Sequence, residues 1–449
     1  MRILIAITIT LTLVSNSVLG QEPGDVVLVG EDYFTNYETT TVLEECGGCD
    51  VQCQHCLGSR DRLFGDLLGP KSHLAQHGII ADLRLSQYYQ GVASGGSDQI
   101  GMYGGKLDYN FTFLGEPLGL NKGFTTLLHA ETRYGQSLVT EAGAFAFPNT
   151  NMLYPKPEGV TSITGLLFMQ ALNEKVALAA GKINVVDFWG MVYPDSGRGL
   201  DGFMNLNSLT VGLPWLRFVN LSVNGAGILV LEGEQIEGGF LVFDTNNSTT
   251  TAGIDNLFDQ GAGVLGLWRF FHTWDGKPGS HLVAGGWSSR TYTSLDANSW
   301  SFIPGQGQGL TPGTETGAWA LAYYFNQVLW ADPCNADRNV KFLTGWSLSD
   351  SNPSFGQWGM LATLESFGPF AHRSKDRMGV SYFYTGVSDD FKQLVSSVVA
   401  IEDVQGCELY YNAEVTPWFH LTGDLQVIDN EQSANDTAIA IGLRAVIDL

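Results

Sequence analysis

Residues 79–88 read IIADLRLSQY, and this stretch decides the fold class. Asp82, Arg84 and Ser86 share one parity, while Leu83 and Leu85 share the other. Because successive side chains of a strand point to opposite faces, this alternation predicts a β-strand with one polar and one apolar face.

The same alternation recurs along the chain. The clearest repeats are KLDYNFTF at 106–113, LHAETRY at 128–134, FHLTGDLQV at 419–427 and IAIGLRAVID at 439–448. Further candidate strands lie near 163–172, 175–185, 205–213, 216–230, 236–245, 261–274, 280–293, 316–330, 340–349, 357–366, 377–387 and 407–416. Together they make about seventeen candidates. Single-chain bacterial barrels have even strand numbers, so we expect an all-β fold, a transmembrane antiparallel β-barrel of about 16 strands. One candidate then lies in a loop or merges with its neighbour.

Export and composition favour this membrane form. Residues 1–20 combine Arg2, an apolar run and a small-residue site before Gln21, which predicts a signal peptide. The apolar run is too short for a membrane-spanning helix, and no later run has 18 uncharged apolar residues. Only 15% of residues are charged and 55 are glycine, which fits a surface that partly faces something other than water.

A soluble sandwich or propeller also alternates in this way, so the pattern alone does not exclude one. The strand length, the sparse charge and the export signal favour the barrel. A propeller is further disfavoured because no constant motif repeats every 40–50 residues.

The formal net charge of -23 argues against nucleic acid as a partner. Two interpretations of the acidic residues stay open. They suit an outer surface where divalent cations bridge to anionic lipopolysaccharide, or they simply keep long loops soluble.

Six cysteines fit an oxidising compartment. Cys46, Cys49, Cys53 and Cys56 form two CxxC pairs, which could bind a metal with His55 as an alternative ligand. Two disulfides are favoured in an exported chain, so no metal and no cofactor are expected. Cys334 and Cys407 remain as a possible loop staple.

Five stretches occur in a fixed order along the chain: LFGDLLGP at 63–70, LAQHGI at 74–79, GKLDYN at 105–110, AGKIN at 180–184 and YNAEVTPW at 411–418. Taken together, they resemble the carbohydrate-selective porins of the OprB family. Leu67 and Leu68 depart from the family's usual Trp-Gly. The resemblance implies an outer-membrane porin for passive diffusion of carbohydrates and other small solutes.

These observations predict four segments. They are a signal peptide at 1–20, a Cys-rich periplasmic segment at 21–62, a short helix leading into the barrel at 63–78 and the porin barrel at 79–449. The N-terminal segment could serve a periplasmic partner.

The polar parity of the strands predicts which side chains line the pore. The expected solute-binding residues are Asp82, Arg84, Lys106, Asp108, His129, Glu131, Arg133, Lys182 and Asp424. We find no GxSxG, HExxH or phosphate loop, and we expect no enzyme. The alternative is a surface-exposed carbohydrate-active enzyme, or a structural envelope protein without pore activity.

Overall fold

A computed structural model describes residues 57–66, 69–156, 159–233, 235–302 and 310–449. The cysteine cluster Cys46–Cys56 and the expected signal peptide lie outside these residues. Strands dominate the described chain, as the two-residue alternation predicts.

The strands are numbered in chain order. They are β1 (Ile79–Gly96), β2 (Gly101–Leu114), β3 (Phe124–Gly135), β4 (Thr161–Asn173), β5 (Val176–Asn184), β6 (Ser222–Glu232), β7 (Gln235–Asp244), β8 (Ala262–Trp274), β9 (Lys277–Thr293), β10 (Ser301–Phe302), β11 (Leu310–Thr311), β12 (Thr314–Asp332), β13 (Asn335–Ser349), β14 (Gly356–Phe367), β15 (Arg377–Val387), β16 (Val404–Thr416), β17 (Phe419–Asp429) and β18 (Asp436–Asp448).

The helices are short. They are α1 (Pro70–Gln76), α2 (Val139–Ala142), α3 (Val185–Val192), α4 (Leu206–Leu209) and α5 (Asp389–Val395), with 3₁₀ turns at Thr150–Met152, Pro194–Gly199 and Ala297–Ser299. Within the described residues, no helix combines the length and the hydropathy needed to cross a membrane.

Sixteen of the described strands close into one antiparallel barrel, which confirms the expected fold. Each strand pairs with its neighbours in sequence, except that β12 follows β9 because β10 and β11 form a separate hairpin. The barrel closes where β1 pairs with β18, with Arg84 opposite Asp448. Closure matters because only a sheet without edges satisfies its backbone groups in lipid.

The two faces of the barrel differ as the alternation predicts. On β17, Leu421 and Leu425 are exposed on the outside, whereas Thr422, Asp424 and Gln426 are buried on the inside. Exposed Ile439, Ile441 and Leu443 continue the apolar outer face on β18. This apolar face suits contact with lipid.

Connections at the two ends of the barrel have different lengths. Turns such as 174–175, 275–276 and 417–418 are short, while the connections at the opposite end reach the length of 185–221. In outer-membrane barrels the short turns face the periplasm and the long loops face outward.

Helix α1 packs at the short-turn end. Pro70 lies in its first turn, and Gly78 follows it with a φ of 80°. A Cβ at Gly78 would lie 2.9 Å from the Leu114 carbonyl oxygen, so the turn into β1 requires glycine there.

Three expectations are wrong. The candidate strand 205–213 is instead helix α4 and irregular chain, and the candidate 216–230 becomes a strand only at Ser222. Cys334 and Cys407 are free and exposed rather than a staple. They cannot meet, because Cys334 lies in the short turn between β12 and β13 and Cys407 lies near the start of β16, at the long-loop end.

Candidate solute path in the lumen

Two long connections fill much of the barrel interior. These lumen loops, residues 136–156 and 185–221, contact the inner faces of strands all around the barrel. Gln426 on β17 donates to the Pro148 carbonyl at 2.9 Å, Ser347 on β13 donates to the Val211 carbonyl at 3.1 Å, and Arg269 on β8 donates to the Val192 carbonyl. Segments that contact the inner face of opposite strands must lie inside the barrel.

The first charged cluster lies at the periplasmic end. Arg62 forms ion pairs with Asp82 at 2.9 Å and with Asp448 at 3.1 Å. Arg84 Nε donates to Asp448 Oδ1 at 2.5 Å. The predicted residues Asp82 and Arg84 therefore belong to one ion-pair cluster. Their partners are Arg62, which precedes the first strand, and Asp448, at the end of the last strand.

The second charged cluster lies on β2 and β3. Register places Asp108 opposite Glu131 and Lys106 opposite Arg133. The Lys106 ammonium forms an ion pair with Glu131 and lies 3.7 Å from Asp108. All three side chains are buried, so their charges depend on each other for compensation.

His129 joins this cluster to a lumen loop. Its Nε2 lies 3.0 Å from Asp108 Oδ1, and its Nδ1 lies 2.6 Å from Asp187 Oδ2. Because a carboxylate offers only acceptors, both ring nitrogens must carry hydrogen to bond both carboxylates. The ring is then a charged imidazolium that fastens helix α3 to the barrel wall.

Helix α3 presents Asp187 at a defined place because its start is capped. The Asn184 side chain accepts hydrogen bonds from the backbone N–H groups of Val186 at 3.1 Å and Asp187 at 3.3 Å. The same Asn184 oxygen accepts from the Tyr154 hydroxyl at 2.8 Å, which ties the first lumen loop to the residue that caps α3.

Asp108, His129 and Glu131 could in principle hold a metal ion, since their ligand atoms lie within 4.8 Å of one another. The Lys106 ammonium already supplies a positive charge against two of these groups. The arrangement is therefore an ion-pair network.

A third group of charges surrounds Asp201 of the second lumen loop. Arg377 on β15 pairs with Asp201 at 3.1 Å. Partial desolvation inside the lumen opposes ionisation of Asp201, but the guanidinium groups of Arg377, Arg84 and Arg444 outweigh it and lower the pKa of its carboxyl. The Asp201 side chain is 44% exposed, so a solute in the lumen can reach it.

Arg444 anchors the same loop. Its side chain is fully buried, and its guanidinium donates to the carbonyls of Gly199 and Gly202, both at 2.8 Å. A planar group with several fixed donors suits two carbonyls at once.

The remaining predicted residues lie in different places. Arg133 donates to the Met152 carbonyl of a lumen loop. Asp424 is buried on the inner face of β17 and accepts from Gln426 at 2.8 Å.

Lys182, also predicted to bind solute, is buried and borders a small space together with His129 and Asp187. It pairs with Leu166 and Asn224, on the parity opposite to buried Ile183, and its Nζ donates to the carbonyls of Ile163 and Thr251.

A small cavity of about 20 Å³ joins the first two clusters. It is lined by Arg84, Lys106, Asp108, Asn110, His129, Glu131, Thr150, Asn151, Tyr154, Val186, Asp187 and Leu200. Five of the nine predicted site residues thus border one space. We name it the polar cavity.

Comparison with known proteins decides the family. The sequence profile described as carbohydrate-selective porin, OprB family, matches residues 100–449. The chain belongs to this family. It is an outer-membrane porin, and family and fold are those of a channel rather than an enzyme.

Solved structures agree with the fold of this OprB-family porin. The high-pH structure of Pseudomonas putida OprB is similar with a TM-score of 0.71 and 16% identity, over 87% of this chain and 99% of that one. The low-pH structure of the same protein gives 0.53 and 13%, over 87% and 99%. Salmonella typhi OmpF, in complex with daunomycin, gives 0.51 and 12%, over 83% and 98%. No curated protein matches the chain significantly.

The porin lumen also contains an apolar side that sequence reasoning missed. Leu267 on β8, Leu282 on β9 and Tyr324 on β12 are buried on inner faces. They border a second space of about 150 Å³, which we name the apolar chamber. The alternation could not indicate it, because strands such as β8 carry apolar residues on both faces.

Sequence reasoning also missed Arg62, Asp187, Asp201, Arg377 and Arg444 as site residues. Arg377 and Arg444 could have been found from strand parity, as Asp424 was. Asp187 and Asp201 lie in loops, where no periodicity tells the direction of a side chain.

Proposed function

We propose that carbohydrates and other small neutral solutes diffuse passively along the polar side of the lumen. The path runs past Asp201 and the polar cavity to the cluster of Arg62, Asp82, Arg84 and Asp448. The observation that carries the proposal is the polar cavity, in which donors and acceptors of both signs line one space inside the barrel.

Mixed charge suits a neutral solute with many hydroxyl groups. Each hydroxyl both donates and accepts, so it can bridge a guanidinium such as Arg84 and a carboxylate such as Asp108. Because Lys106, Glu131 and His129 are already paired with one another, a passing sugar competes with existing bonds rather than filling unpaired ones. Weak binding of this kind allows release, as conduction requires.

Single-channel conductance in planar bilayers, with glucose added, tests the proposal. We expect discrete current steps that glucose reduces, and a weaker reduction in Arg84→Ala, which removes donors at the polar cavity. Lys175→Ala, in the exposed turn between β4 and β5, is the charge control and should behave as the wild type.

Two outcomes would contradict the proposal. Absence of current steps would favour a surface enzyme or a structural envelope protein instead. Steps that glucose leaves unchanged in every variant would show a pore whose polar side does not contact sugars.

We also propose that the N-terminal segment is periplasmic. The residues that follow it support this, because Leu63 N donates to the Asp448 carbonyl and Lys71 Nζ donates to the Leu449 carbonyl, both at 2.8 Å, at the short-turn end. The acidic residues of the long outer loops could pair through divalent cations with lipopolysaccharide, and a periplasmic partner would bind residues 21–62.

A further inference from the structure

Two arginines meet at one tyrosine near the outer end of the barrel. Arg217 belongs to the second lumen loop, and Arg290 and Tyr292 lie near the end of β9. The Cζ atom of Arg217 lies 5.1 Å from the centroid of the Tyr292 ring, and the Cζ atom of Arg290 lies 5.6 Å from it. Both distances are typical of a cation–π contact. The ring therefore holds two positive charges close together.

Neither arginine has a carboxylate partner among the residues that the structure describes. The Arg217 guanidinium donates to the Thr293 carbonyl at 3.2 Å, and the Arg290 guanidinium donates to the Thr245 carbonyl at 2.8 Å. Backbone carbonyls carry no net charge, so both positive charges stay uncompensated. Burial lowers the pKa of Arg217, and the positive charge of Arg290 lowers it further. The two guanidinium groups thus repel each other.

The acid beside this pair is engaged elsewhere. Asp350 lies near Tyr292, but its carboxylate accepts from Ser354 Oγ at 2.7 Å and from the Trp319 N–H at 3.0 Å. Arg377, in contrast, pairs with a carboxylate of the lumen. The chain has 46 acidic and 23 basic residues, so the lack of a partner is not due to a shortage of acids.

The pair is accessible from the outer side of the membrane. β9 ends at the long-loop end of the barrel, which faces outward. The bond between Arg217 and Thr293 is exposed to solvent, although one face of the guanidinium is covered by Phe355, whose ring centroid is 4.9 Å from Cζ. A guanidinium has five N–H donors, and each arginine uses one of them on a carbonyl. Donors therefore remain for a ligand.

From these contacts we propose that Arg217 and Arg290 bind the carboxylate of acidic sugars, the hexuronates, at the outer end of the lumen. A carboxylate removes the repulsion between the two guanidinium groups, and its two oxygens match the planar fork of donors on each. A neutral sugar offers no charge to the pair. Because the net charge of -23 disfavours anions, a local site of this kind would admit them. This inference rests on the proposed function and adds acidic sugars to its solutes.

The test compares glucuronate with glucose, which carries a hydroxymethyl group where glucuronate carries its carboxylate. Each is added on the outer side of a single channel in a planar bilayer at constant ionic strength, and the reduction of ion current is measured. We expect glucuronate to act at about tenfold lower concentration than glucose, because charge-assisted hydrogen bonds are about twice as strong as neutral ones. Acetate should act much more weakly than glucuronate, because it lacks the sugar hydroxyls.

Substitutions assign the preference to the two arginines. Arg290→Gln and Arg217→Gln should each bring the effective concentrations of glucuronate and glucose close together. Arg338→Gln is the matched control, since it removes an arginine from the short-turn end, where Arg338 pairs with Asp332; it should keep the tenfold ratio. The ratio is taken within one variant, so a general change of conductance cancels. Heat-dependent electrophoretic mobility shows that each barrel has folded.

The inference is overturned if glucuronate and glucose act equally on the wild type, if acetate matches glucuronate, or if the ratio survives in both folded Gln variants. Failure of the proposed function looks different, because glucose then leaves the current unchanged. In that case the loss of the glucuronate effect in the Gln variants still tests the arginine pair.

Discussion

The bond between His129 and Asp187 allows a graded test of how the lumen helix is held. Nδ1 and Oδ2 lie 2.6 Å apart, and both side chains are buried. A hydrogen bond to a charged group contributes about 1.5–3 kcal/mol, and a bond between two neutral groups contributes about 1 kcal/mol less. Asp187→Asn should therefore weaken the attachment of α3 by about 1 kcal/mol, and Asp187→Ala by about 1.5–3 kcal/mol.

These free energies predict changes in the population of detached α3. Since 1.4 kcal/mol is a factor of ten, the population rises about fivefold in Asp187→Asn and about ten- to a hundredfold in Asp187→Ala. Single-channel recordings should show it as more frequent transitions to a larger current, in the order wild type, Asn, Ala.

The control is Asp275→Asn, which removes a carboxylate from the exposed turn between β8 and β9. It should record as the wild type. If folded Asp187→Ala shows the same current noise as the wild type, the bond to His129 does not hold the lumen loop, and the reasoning is refuted.

Three further predictions concern charge and the N-terminal segment. The net charge of -23 should make the channel prefer cations, and the preference should be weak because the lumen charges are largely paired. Reversal potentials in a salt gradient should show that Arg84→Ala is more cation-selective than the wild type. A clear anion preference of the wild type would mean that the lumen residues, and not the net charge, determine the ion selectivity. The lowered pKa of Asp201 means that its charge persists as the pH falls to the ordinary value of 3.8. Asp201→Asn should thus differ from the wild type in selectivity from pH 7 down to about pH 4, whereas convergence already at pH 5 would contradict the lowered pKa. Non-reducing mass spectrometry should find Cys46, Cys49, Cys53 and Cys56 oxidised; four free thiols with bound zinc would exclude the disulfides.

The sequence predicts best where one face of a strand is polar. The inner faces of β1, β2, β3, β17 and β18 carry charged or amide side chains, so their parity is readable without a structure. The prediction of a strand at 205–213 was wrong because the pattern of apolar residues there does not come from a strand with one polar face. Leu206 and Leu209 are spaced for burial of a lumen loop, and Phe203, Leu209 and Tyr410 pack together inside the barrel.

Partners were harder to predict than positions. Asp82 and His129 were placed by parity, but Arg62 reaches Asp82 from irregular chain and Asp187 reaches His129 from a helix of the lumen loop. The apolar chamber was hidden because Leu267 and Trp268 are both apolar, although only Leu267 faces inward. A strand that faces an apolar loop on one side and lipid on the other is apolar on both faces. Its sequence shows no alternation, so it cannot be distinguished from the sequence of any other buried strand.

The anchoring of the lumen loops has a consequence for the order of assembly. Glu408 on β16 accepts hydrogen bonds from the backbone N–H groups of Met204 and Asn205, and Glu431, beyond β17, accepts from Ala144. These contacts join residues 203 to 287 positions apart in the chain. The lumen loops precede in the chain the strand residues that bind them, so these residues are synthesised later. Contacts between residues far apart in the sequence also form slowly. The lumen loops therefore reach their final positions only when β16, β17 and β18 have joined the sheet. Closure of the barrel between β1 and β18 and ordering of the lumen loops then occur together.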